Sequence, residues 1–226
     1  MKAAILCGGQ GKRLRPLTEN IPKTMVQIAG KPILEWQLQW LKKYGIDSAI
    51  ILAGYKHEKI MEFFREKKPL IDIDFSIENE PIGTGGGLKN AEKSLKGEKE
   101  FLVVNGDILT NFNLKKMRLE KEDVAQLSLI QLKSPYGVVH SSGNKVTKFE
   151  EKPMLKEYWV SAGIYLMSSS IFNYLPKKGD IEKTAFPSLA EEGKLGCTRF
   201  EGEFWKPIDS IKDVDEANDE VKGHIF

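Results

Sequence analysis

A glycine-rich segment near the N terminus carries the residues best suited to hold phosphate. The segment LCGGQGKRLRPLTENIPK places Gly8, Gly9 and Gly11 directly after the apolar run MKAAIL. Glycines let backbone N–H groups come close to anionic oxygens. Arg13 offers a planar fork of donors, and two prolines stiffen the loop that returns Lys23 to the same place as a compact charge. The spacing predicts a site for a nucleoside triphosphate.

Two common phosphate-binding loops do not match this segment. A P-loop requires GxxxxGK followed by Ser or Thr, whereas Lys12 is followed by Arg13. A dinucleotide-binding loop requires GxGxxG, whereas Leu14 stands at the third glycine position after Gly9 and Gly11. A mobile surface turn with solvated charges is the plain alternative. The spacing of the arginine, the prolines and the lysine across the whole segment favours a phosphate site.

An aspartate ends the apolar run EFLVVNGD, which predicts a central strand. Ligands of open α/β sheets bind at the carboxyl ends of the strands. A carboxylate that only caps the next segment is the alternative for Asp107, and Gly106 just before it disfavours that alternative. We therefore expect Asp107 at the binding edge of the sheet.

The segments that must position these residues alternate between strand and helix in the first half. Apolar or alternating runs predict strands at KAAIL, DSAIILAG, IDIDFSIE and EFLVVNGD, and helical spacing predicts helices at GKPILEWQLQWLKKYG, EKIMEFFREKK and GGGLKNAEKSL. The second half adds strands at AQLSLIQL, YGVVHS, KVTKFEEK, WVSAGIYLMS and CTRFEG, a hairpin turn at SSGN, and helices at SSIFNYL, EKTAFPSLAEEG and IKDVDEANDEV. This succession predicts an α/β fold in three layers around a mostly parallel, mixed sheet.

Composition argues against several classes of protein. The 226 residues suit one large domain, or two halves that share a sheet. With 34 basic and 32 acidic residues the net charge is +2, which argues against a dedicated nucleic-acid-binding protein. Cys7 and Cys197 indicate neither a zinc site nor a disulfide framework, and Cys7 is expected to be a buried small hydrophobe. No apolar run is typical of a signal peptide or a membrane span, so we expect a cytoplasmic protein without a membrane partner.

Two groups of residues are assigned to packing or to the surface. Trp36 and Trp40 are four apart on one predicted helix, so they are expected in the core or at a contact between copies in a homo-oligomer. His57, His140 and His224 are scattered and have neither cysteine nor paired carboxylate spacing around them, so they are not expected to be ligands.

Six further motifs occur in order along the chain: GKPILEW, ENEPIGTGGGLKNA, FLVVNGD, FEEKP, SAGIY and FWKPID. Together with the opening segment they resemble the sugar-1-phosphate nucleotidyltransferases, or NDP-sugar pyrophosphorylases, over nearly the whole chain. The resemblance implies a Rossmann-like nucleotidyltransferase fold in one domain, residues 1–226. Residues 1–112 would form a nucleotide-binding half and residues 113–226 a sugar-phosphate-binding half. The C-terminal β-helix that many relatives carry is not expected, because the chain leaves no room for it.

The resemblance also implies roles for the charged residues. The family joins a sugar 1-phosphate to the α-phosphate of a nucleoside triphosphate and expels pyrophosphate, which demands positioning and charge neutralisation. Arg13 would then stabilise the departing β- and γ-phosphates, and Lys23 the α-phosphate or the sugar phosphate. Asp107 would be a Mg²⁺ ligand. A second ligand is expected from Asp209, although it lies two positions later in FWKPIDS than the aspartate of the usual W-x-D pattern.

Four residues are implied in binding the sugar phosphate. In the family the glutamate of FEEKP accepts hydrogen bonds from sugar hydroxyls and the lysine contacts the phosphate, which points to Glu151 and Lys152. Gly137 would let the backbone approach the sugar. Ser161 stands where the family often has asparagine, so a contact that helps to select the sugar is shortened or lost.

The base is expected to lie against the opening loop and the segment ENEPIGTGGG. The nucleotide-binding residues there are Leu6, Glu78, Gly83 and Thr84, with the loop glycines. Many uridylyl- and thymidylyltransferases have glutamine where this chain has Glu78. A carboxylate only accepts hydrogen bonds, which suits the N1–H and amino donors of guanine and not the carbonyls of uracil. GTP is therefore the favoured nucleotide, and mannose 1-phosphate the favoured sugar phosphate.

Other functions stay open at this point. The chain could use UTP, CTP or a thymidine nucleotide with another sugar 1-phosphate, and FWKPID is similar to the cytidylyl branch. It could be a regulatory subunit that binds an NDP-sugar without turnover, or a glycosyltransferase. A glycosyltransferase more typically shows D-x-D where this chain reads N-G-D, and it would have no triphosphate for Arg13 and Lys23 to bind.

Overall fold

A computed structural model of the chain describes residues 1–223. The expectation for His224 lies outside the described residues. The strands are β1 (Ala3–Cys7), β2 (Gln27–Ile28), β3 (Lys31–Pro32), β4 (Ser48–Ala53), β5 (Asp72–Ile77), β6 (Glu100–Asn105), β7 (Ile108–Thr110), β8 (Ala125–Lys133), β9 (Val138–Ser142), β10 (Lys145–Glu150), β11 (Met154–Ser168), β12 (Leu195–Phe200) and β13 (Trp205–Pro207). The α-helices are α1 (Ile33–Lys43), α2 (His57–Glu66), α3 (Gly83–Asn90), α4 (Glu92–Leu95), α5 (Ala185–Glu191) and α6 (Ile211–Glu220).

A seven-stranded sheet forms the middle layer, in the order β12-β8-β11-β6-β1-β4-β5. The pairs β1–β4, β1–β6, β4–β5 and β8–β12 are parallel, and β11 runs antiparallel to both of its neighbours, β6 and β8. The predicted mostly parallel, mixed sheet is therefore confirmed. Strands β1, β4 and β6 are apolar almost throughout because both of their faces are covered.

Helices cover both faces of this sheet. On one face Leu34, Leu38 and Trp40 of α1 pack against the central strands. On the other face Leu88 of α3 and Leu189 of α5 belong to a second apolar cluster. Burial of these two faces accounts for the three layers that the sequence predicts. None of the helices in residues 1–223 has both the length and the apolar character needed to cross a membrane.

Several predicted helices are shorter or broken. The segment GGGLKNAEKSL was expected to be one helix, but α3 begins earlier, at Gly83, and the chain passes through Ala91 into the separate helix α4. SSIFNYL forms a 3-10 helix over Ser169–Asn173, and Pro176 follows closely, which disfavours continuation. EKTAFPSLAEEG divides into a 3-10 turn at Ile181–Lys183 and the short helix α5.

Strands β9 and β10 form a hairpin that stands apart from the main sheet. SSGN makes its turn, as predicted, with Gly143 at φ +55°. Val139 pairs with Phe149, and both side chains are exposed. The following strand, β11, is longer than WVSAGIYLMS predicts because its first residues, from Met154, pair with the end of β8.

Candidate active site

A cavity of about 290 Å³ opens at the carboxyl ends of the central strands β1 and β6. Half of the residues that line it were predicted from the sequence to bind nucleotide, phosphate or metal: Leu6, Gly8, Gly9, Lys23, Glu78, Gly83, Thr84 and Asp107. The lining residues that sequence reasoning missed include Leu52, Gly87, Asn105 and Asp180. The position of the cavity agrees with the rule that parallel sheets bind ligands at the carboxyl ends of their strands.

The opening loop leaves β1 and returns to the cavity through two 3-10 turns. Gly11 adopts a left-handed conformation, φ +58°, and its carbonyl accepts a 2.7 Å hydrogen bond from the Thr18 hydroxyl. Leu14 is fully buried and anchors the loop in the core. The second turn begins at Lys23, directly after Pro22. Lys23 thereby lies next to the start of the loop, where a Cβ on Gly11 would come within 3.1 Å of the Lys23 Cβ.

Four of the predicted residues meet in one ionic cluster. The Lys23 ammonium lies 2.7 Å from Asp107 Oδ2 and 2.7 Å from Asp209 Oδ1. The Arg13 guanidinium lies 2.7 Å from the same oxygen of Asp209. The Lys23 side chain is only 13% exposed, whereas that of Arg13 is 75% exposed. The cluster therefore has an inner lysine, two carboxylates around it and an outer arginine that faces solvent.

A short strand pair brings Asp209 to Asp107. Strand β13 runs antiparallel to β7, with Pro207 opposite Ile108, and the Ile208 N–H donates to the Asp107 carbonyl at 2.9 Å. Asp209 is then held by its own N–H, which donates to the Asp213 carboxylate at 3.0 Å. The displacement of this aspartate along FWKPIDS therefore does not keep it from the site.

The chemistry of this donor set fits a divalent cation. The carboxylates of Asp107 and Asp209 already converge on one positive charge, the Lys23 ammonium. Carboxylate oxygens are the protein ligands that Mg²⁺ prefers, and such sites complete their coordination with substrate phosphates and water. Within residues 1–223 there is no group of three or more His, Cys, Asp or Glu that could hold a metal. Asp107 and Asp209 supply two carboxylates, so a Mg²⁺ ion held by them would need further oxygen ligands from substrate and water.

Glu78 occupies a slot made by two glycines. Its N–H bonds the Ala53 carbonyl at 2.8 Å, which extends the pairing of β4 with β5 by one residue. A Cβ on Gly8 would overlap the Glu78 carboxylate, and one on Gly54 would lie 2.7 Å from Oε1. Burial raises the pKa of Glu78 above its ordinary value, although a hydrogen bond from the Ile82 backbone acts the other way. The cavity therefore has an acceptor group at its inner wall.

Cys7 lines the same cavity as an inert group. The side chain is 2% exposed, and burial raises the pKa of its thiol to about 12. A thiol with so high a pKa is not a nucleophile at neutral pH. The prediction of a buried small hydrophobe is confirmed.

The four predicted sugar-phosphate residues lie outside the lining of this cavity. Gly137 and Glu151 are close together, because a Cβ on Gly137 would lie 3.2 Å from Glu151 Oε2 and would overlap the Phe149 ring. The Lys152 ammonium is 3.7 Å from Glu151, and both side chains are exposed. The three residues form one group at the base of the β9–β10 hairpin. Their binding roles stay predictions.

Ser161 lies beside a buried tyrosine. The Ser161 hydroxyl lies 3.4 Å from the Tyr165 hydroxyl, on the same strand, β11. Burial raises the pKa of Tyr165 to about 12; Ser161 and Asn105 hydrogen bonds lower it, and the charges of Glu182 and Asp107 raise it further. The tyrosine is thus a neutral polar group next to Ser161 and to Asn105, which lines the cavity.

Known proteins are similar to this chain over most of its length. The family model described as nucleotidyl transferase matches residues 2–223. The chain is 39% identical over 195 residues to the D-glycero-alpha-D-manno-heptose 1-phosphate guanylyltransferase of Campylobacter jejuni. The aligned region covers 85% of this chain and 86% of that protein. The chain is 35% identical over 225 residues to the mannose-1-phosphate guanyltransferase of Yarrowia lipolytica, covering 94% of this chain but only 62% of that longer protein.

A solved structure has the same fold over almost the full length. HddC from Yersinia pseudotuberculosis superposes with a TM-score of 0.77 at 28% identity, covering 97% of this chain and 99% of that one. A second structure of HddC, complexed with GMP-PN, gives a TM-score of 0.76 at 27% identity. The family match, the curated relatives and the shared fold lead to one conclusion. The chain belongs to the sugar-1-phosphate nucleotidyltransferase family.

Proposed function

We propose that this protein transfers GMP from GTP to a sugar 1-phosphate, with mannose 1-phosphate favoured, and releases pyrophosphate. One observation carries the proposal: Lys23 and Asp107 line the same cavity as Glu78. Asp209 and Arg13 lie outside that lining but join Lys23 in one ionic cluster. In this proposal Arg13 and Lys23 would bind the polyphosphate, the two aspartates would hold a metal, and Glu78 would accept hydrogen bonds from the base. The reaction needs positioning and charge neutralisation more than covalent work by the protein.

In this mechanism Arg13 and Lys23 exchange partners when substrate binds. Both cations are paired with carboxylates in the free protein. Lys23 turns to the α-phosphate and holds it for in-line attack by the sugar phosphate oxygen. Arg13, which is exposed and long enough to follow the leaving group, binds the β- and γ-phosphates. Asp107 and Asp209 would hold Mg²⁺, which supplies neutralisation of the phosphate charge.

The choice of GTP rests on Glu78. An ionised carboxylate accepts two hydrogen bonds from the N1–H and amino group of guanine, and it offers no donor to a uracil carbonyl. The two relatives described above are both named as guanylyl or guanyl transferases, which supports this choice. Their sugar phosphates share the manno configuration in their names, and this supports mannose 1-phosphate or a heptose of the same configuration.

Pyrophosphate release measured for a matrix of nucleotides and sugar phosphates tests the proposal. GTP, UTP, CTP and dTTP are each combined with mannose 1-phosphate, glucose 1-phosphate and N-acetylglucosamine 1-phosphate, with and without Mg²⁺. We expect release with GTP and mannose 1-phosphate that depends on Mg²⁺. Turnover with UTP or CTP and none with GTP would reject the guanylyl assignment.

A non-catalytic NDP-sugar-binding subunit is the second candidate. It would release no pyrophosphate from any combination but would still bind an NDP-sugar. The charged residues disfavour it, because a chain without turnover has no need to keep Arg13, Lys23, Asp107 and Asp209 in contact.

A further inference from the structure

Helix α3 forms one wall of the nucleotide cavity although its sequence is poorly suited to a helix. Its eight residues, GTGGGLKN, include four glycines. Each glycine in a helix interior costs roughly 1 kcal/mol relative to alanine. Ile82 at the N-cap supplies no side-chain hydrogen bond to the first turn. Because Gly83, Thr84 and Gly87 line the cavity, the position of this weak helix bears directly on nucleotide binding.

Residues 179–182, which we call the clasp, hold the first turn of α3 from the other half of the chain. The Gly179 carbonyl accepts from the N–H groups of Gly85 at 3.0 Å and Gly86 at 3.1 Å. The Gly179 N–H donates to the Ile82 carbonyl at 2.8 Å. The first N–H groups of a helix have no carbonyl partner within the helix, and the N-cap side chain of α3 supplies none. The clasp therefore provides the acceptor that these backbone donors need.

The hydroxyl of Thr84 is bound on both sides by the clasp. It accepts a 2.9 Å hydrogen bond from the Ile181 N–H and donates a 2.7 Å hydrogen bond to Glu182 Oε2. Lys183 bonds the Asp180 carboxylate at 2.8 Å and lowers its pKa, and the Thr84 backbone lowers it further. Asp180 itself reaches the cavity lining.

The glycines of α3 are needed for this contact. A Cβ on Gly83, whose φ is +80°, would lie 2.5 Å from the Gly179 carbonyl oxygen and 2.9 Å from Asp180 Oδ1. A Cβ on Gly85 would lie 2.9 Å from the Pro176 ring. These glycines therefore give room to protein backbone, whereas Gly8 and Gly9 face the cavity as part of the opening loop.

We propose that the clasp fixes the nucleotide-binding wall, and that Asp180 and Glu182 act through Thr84 as positioning residues for the nucleotide. This inference rests on the proposed function, because it assigns the cavity to the nucleoside triphosphate. Through the clasp, the affinity of the cavity for nucleotide depends on residues of the predicted sugar-phosphate-binding half. Glu182 is well placed for this connection, since its charge also acts on Tyr165, the neighbour of Ser161.

The test uses four variants of the full-length protein: Thr84→Val, Thr84→Ser, Glu182→Ala and the double variant Thr84→Val with Glu182→Ala. Valine has the shape of threonine and loses both hydrogen bonds, whereas serine keeps the hydroxyl. We expect Thr84→Val and Glu182→Ala each to raise the Kd for GTP by about 10-fold. The double variant should be no weaker than the more impaired single variant, because Thr84→Val already removes the hydrogen bond to Glu182. Thr84→Ser should stay within about 2-fold of the wild type.

Kinetics separate positioning from a general loss of stability. The KM for GTP should rise with the Kd, while kcat at saturating GTP and the KM for the sugar phosphate change by less than about 2-fold. Thr198→Val is the matched control, since it also removes a threonine hydrogen bond, to Gln126 at 2.8 Å, but lies on the edge strand β12 outside the cavity lining. Its KM for GTP should equal that of the wild type.

Each other outcome has a distinct meaning. A raised Kd in Thr84→Val with an unchanged Kd in Glu182→Ala would mean that Thr84 contacts the nucleotide directly, which overturns the proposal. Glu182→Ala decides alone if Thr84→Val does not fold, because Glu182 is exposed. If the wild type turns over UTP instead of GTP, the guanylyl assignment fails and the same Kd ratios are measured with UTP. If the wild type binds no nucleotide, the proposed function fails and the clasp proposal with it.

Discussion

Lys23 has two acidic partners within 2.7 Å and little contact with water, so its charge is largely neutralised in the free protein. Binding of a polyphosphate, as proposed, would exchange one set of anionic oxygens for another around the same ammonium. Such an exchange needs only a small movement of the side chain, since the lysine already lies at the mouth of the cavity. The same exchange would leave the two carboxylates free to meet a metal ion.

Asp107→Asn tests the role of the inner carboxylate. The amide has the same volume but carries no charge, so we expect the fold to be preserved while the proposed metal ligand and a charged partner of Lys23 are lost. We expect turnover, measured as pyrophosphate release, to fall by at least about 100-fold at saturating Mg²⁺. Asp72→Asn, on the exposed edge strand β5, is the control and should retain the wild-type rate. Wild-type turnover in Asp107→Asn would contradict the assignment.

Glu78→Gln should change both stability and nucleotide preference. Burial raises the pKa of Glu78 in the folded protein, so the ionised form is disfavoured there relative to the unfolded chain. The resulting decrease in the free energy of unfolding is present at pH values above the folded-state pKa. It vanishes below the ordinary pKa of glutamate, where Glu78 is protonated in both the folded and the unfolded protein. Thermal unfolding should therefore show a higher Tm for Glu78→Gln at pH 7 and no difference near pH 3.5.

Nucleotide preference gives a second measurement on the same variant. Glutamine offers both a donor and an acceptor, so the ratio of kcat/KM for GTP to that for UTP should fall by at least about 10-fold. An unchanged ratio would show that Glu78 does not contact the base. A Tm at pH 7 equal to that of the wild type would show that the carboxylate is well solvated.

The secondary-structure elements show where sequence patterns are sufficient and where they are not. Apolar runs were enough to predict the strands β1, β4 and β6, because a strand buried on both faces is apolar throughout. Helical spacing was enough to predict α1, because a helix buried on one side repeats its apolar residues along that side. The pair β7–β13 and the start of α3 left no such pattern. Both depend on partners far along the chain, and the glycines of α3 would by themselves indicate a loop.

The same distinction holds for the residues of the site. Arg13, Lys23, Asp107 and Asp209 could be chosen from charge and spacing, but their mutual pairing depends on how the 3-10 turns and β13 close on each other. Asp180 could not be chosen, because nothing in GDIEKT distinguishes a cavity residue from an exposed turn. Its contact with α3 is visible only in three dimensions.

Gly54→Ala tests the slot that holds Glu78 at the end of β4. The new methyl group would lie 2.7 Å from Glu78 Oε1 and 2.9 Å from Cγ, so the flexible glutamate must move away from the cavity wall. We expect a KM for GTP raised by about 10-fold with a folded protein. Gly97→Ala is the matched control, since a methyl group there meets nothing within 4 Å. Equal KM values for the two variants would show that the slot does not position Glu78.

At the scale of the whole molecule, one sheet joins the predicted nucleotide-binding and sugar-phosphate-binding halves. Strand β6 ends the run of parallel strands from the first half, and β11 from the second half pairs along it over five residues from Ile164 to Ser168. Phe101, Leu102, Val103 and Val104 of β6 are at most 1% exposed. The core of each half is therefore completed by the other.

A fragment of residues 1–112 should consequently be unable to fold to a soluble monomer. Removal of β11 would leave β6 as an apolar edge strand with unpaired backbone groups, which favours aggregation. Light scattering after refolding should show aggregates for the fragment, while the full chain refolded under the same conditions scatters little. A monomeric fragment with a native-like circular dichroism spectrum would disprove this prediction.

The β7–β13 pair and the clasp also set the order in which the protein becomes competent during its synthesis. The glycine loop and Lys23 leave the ribosome before the residues that hold α3 and before Asp209. A nascent chain would therefore carry the groups predicted to bind phosphate without the second carboxylate or the fixed cavity wall. We expect the proposed nucleotide site to be complete only after Asp209 has been synthesised.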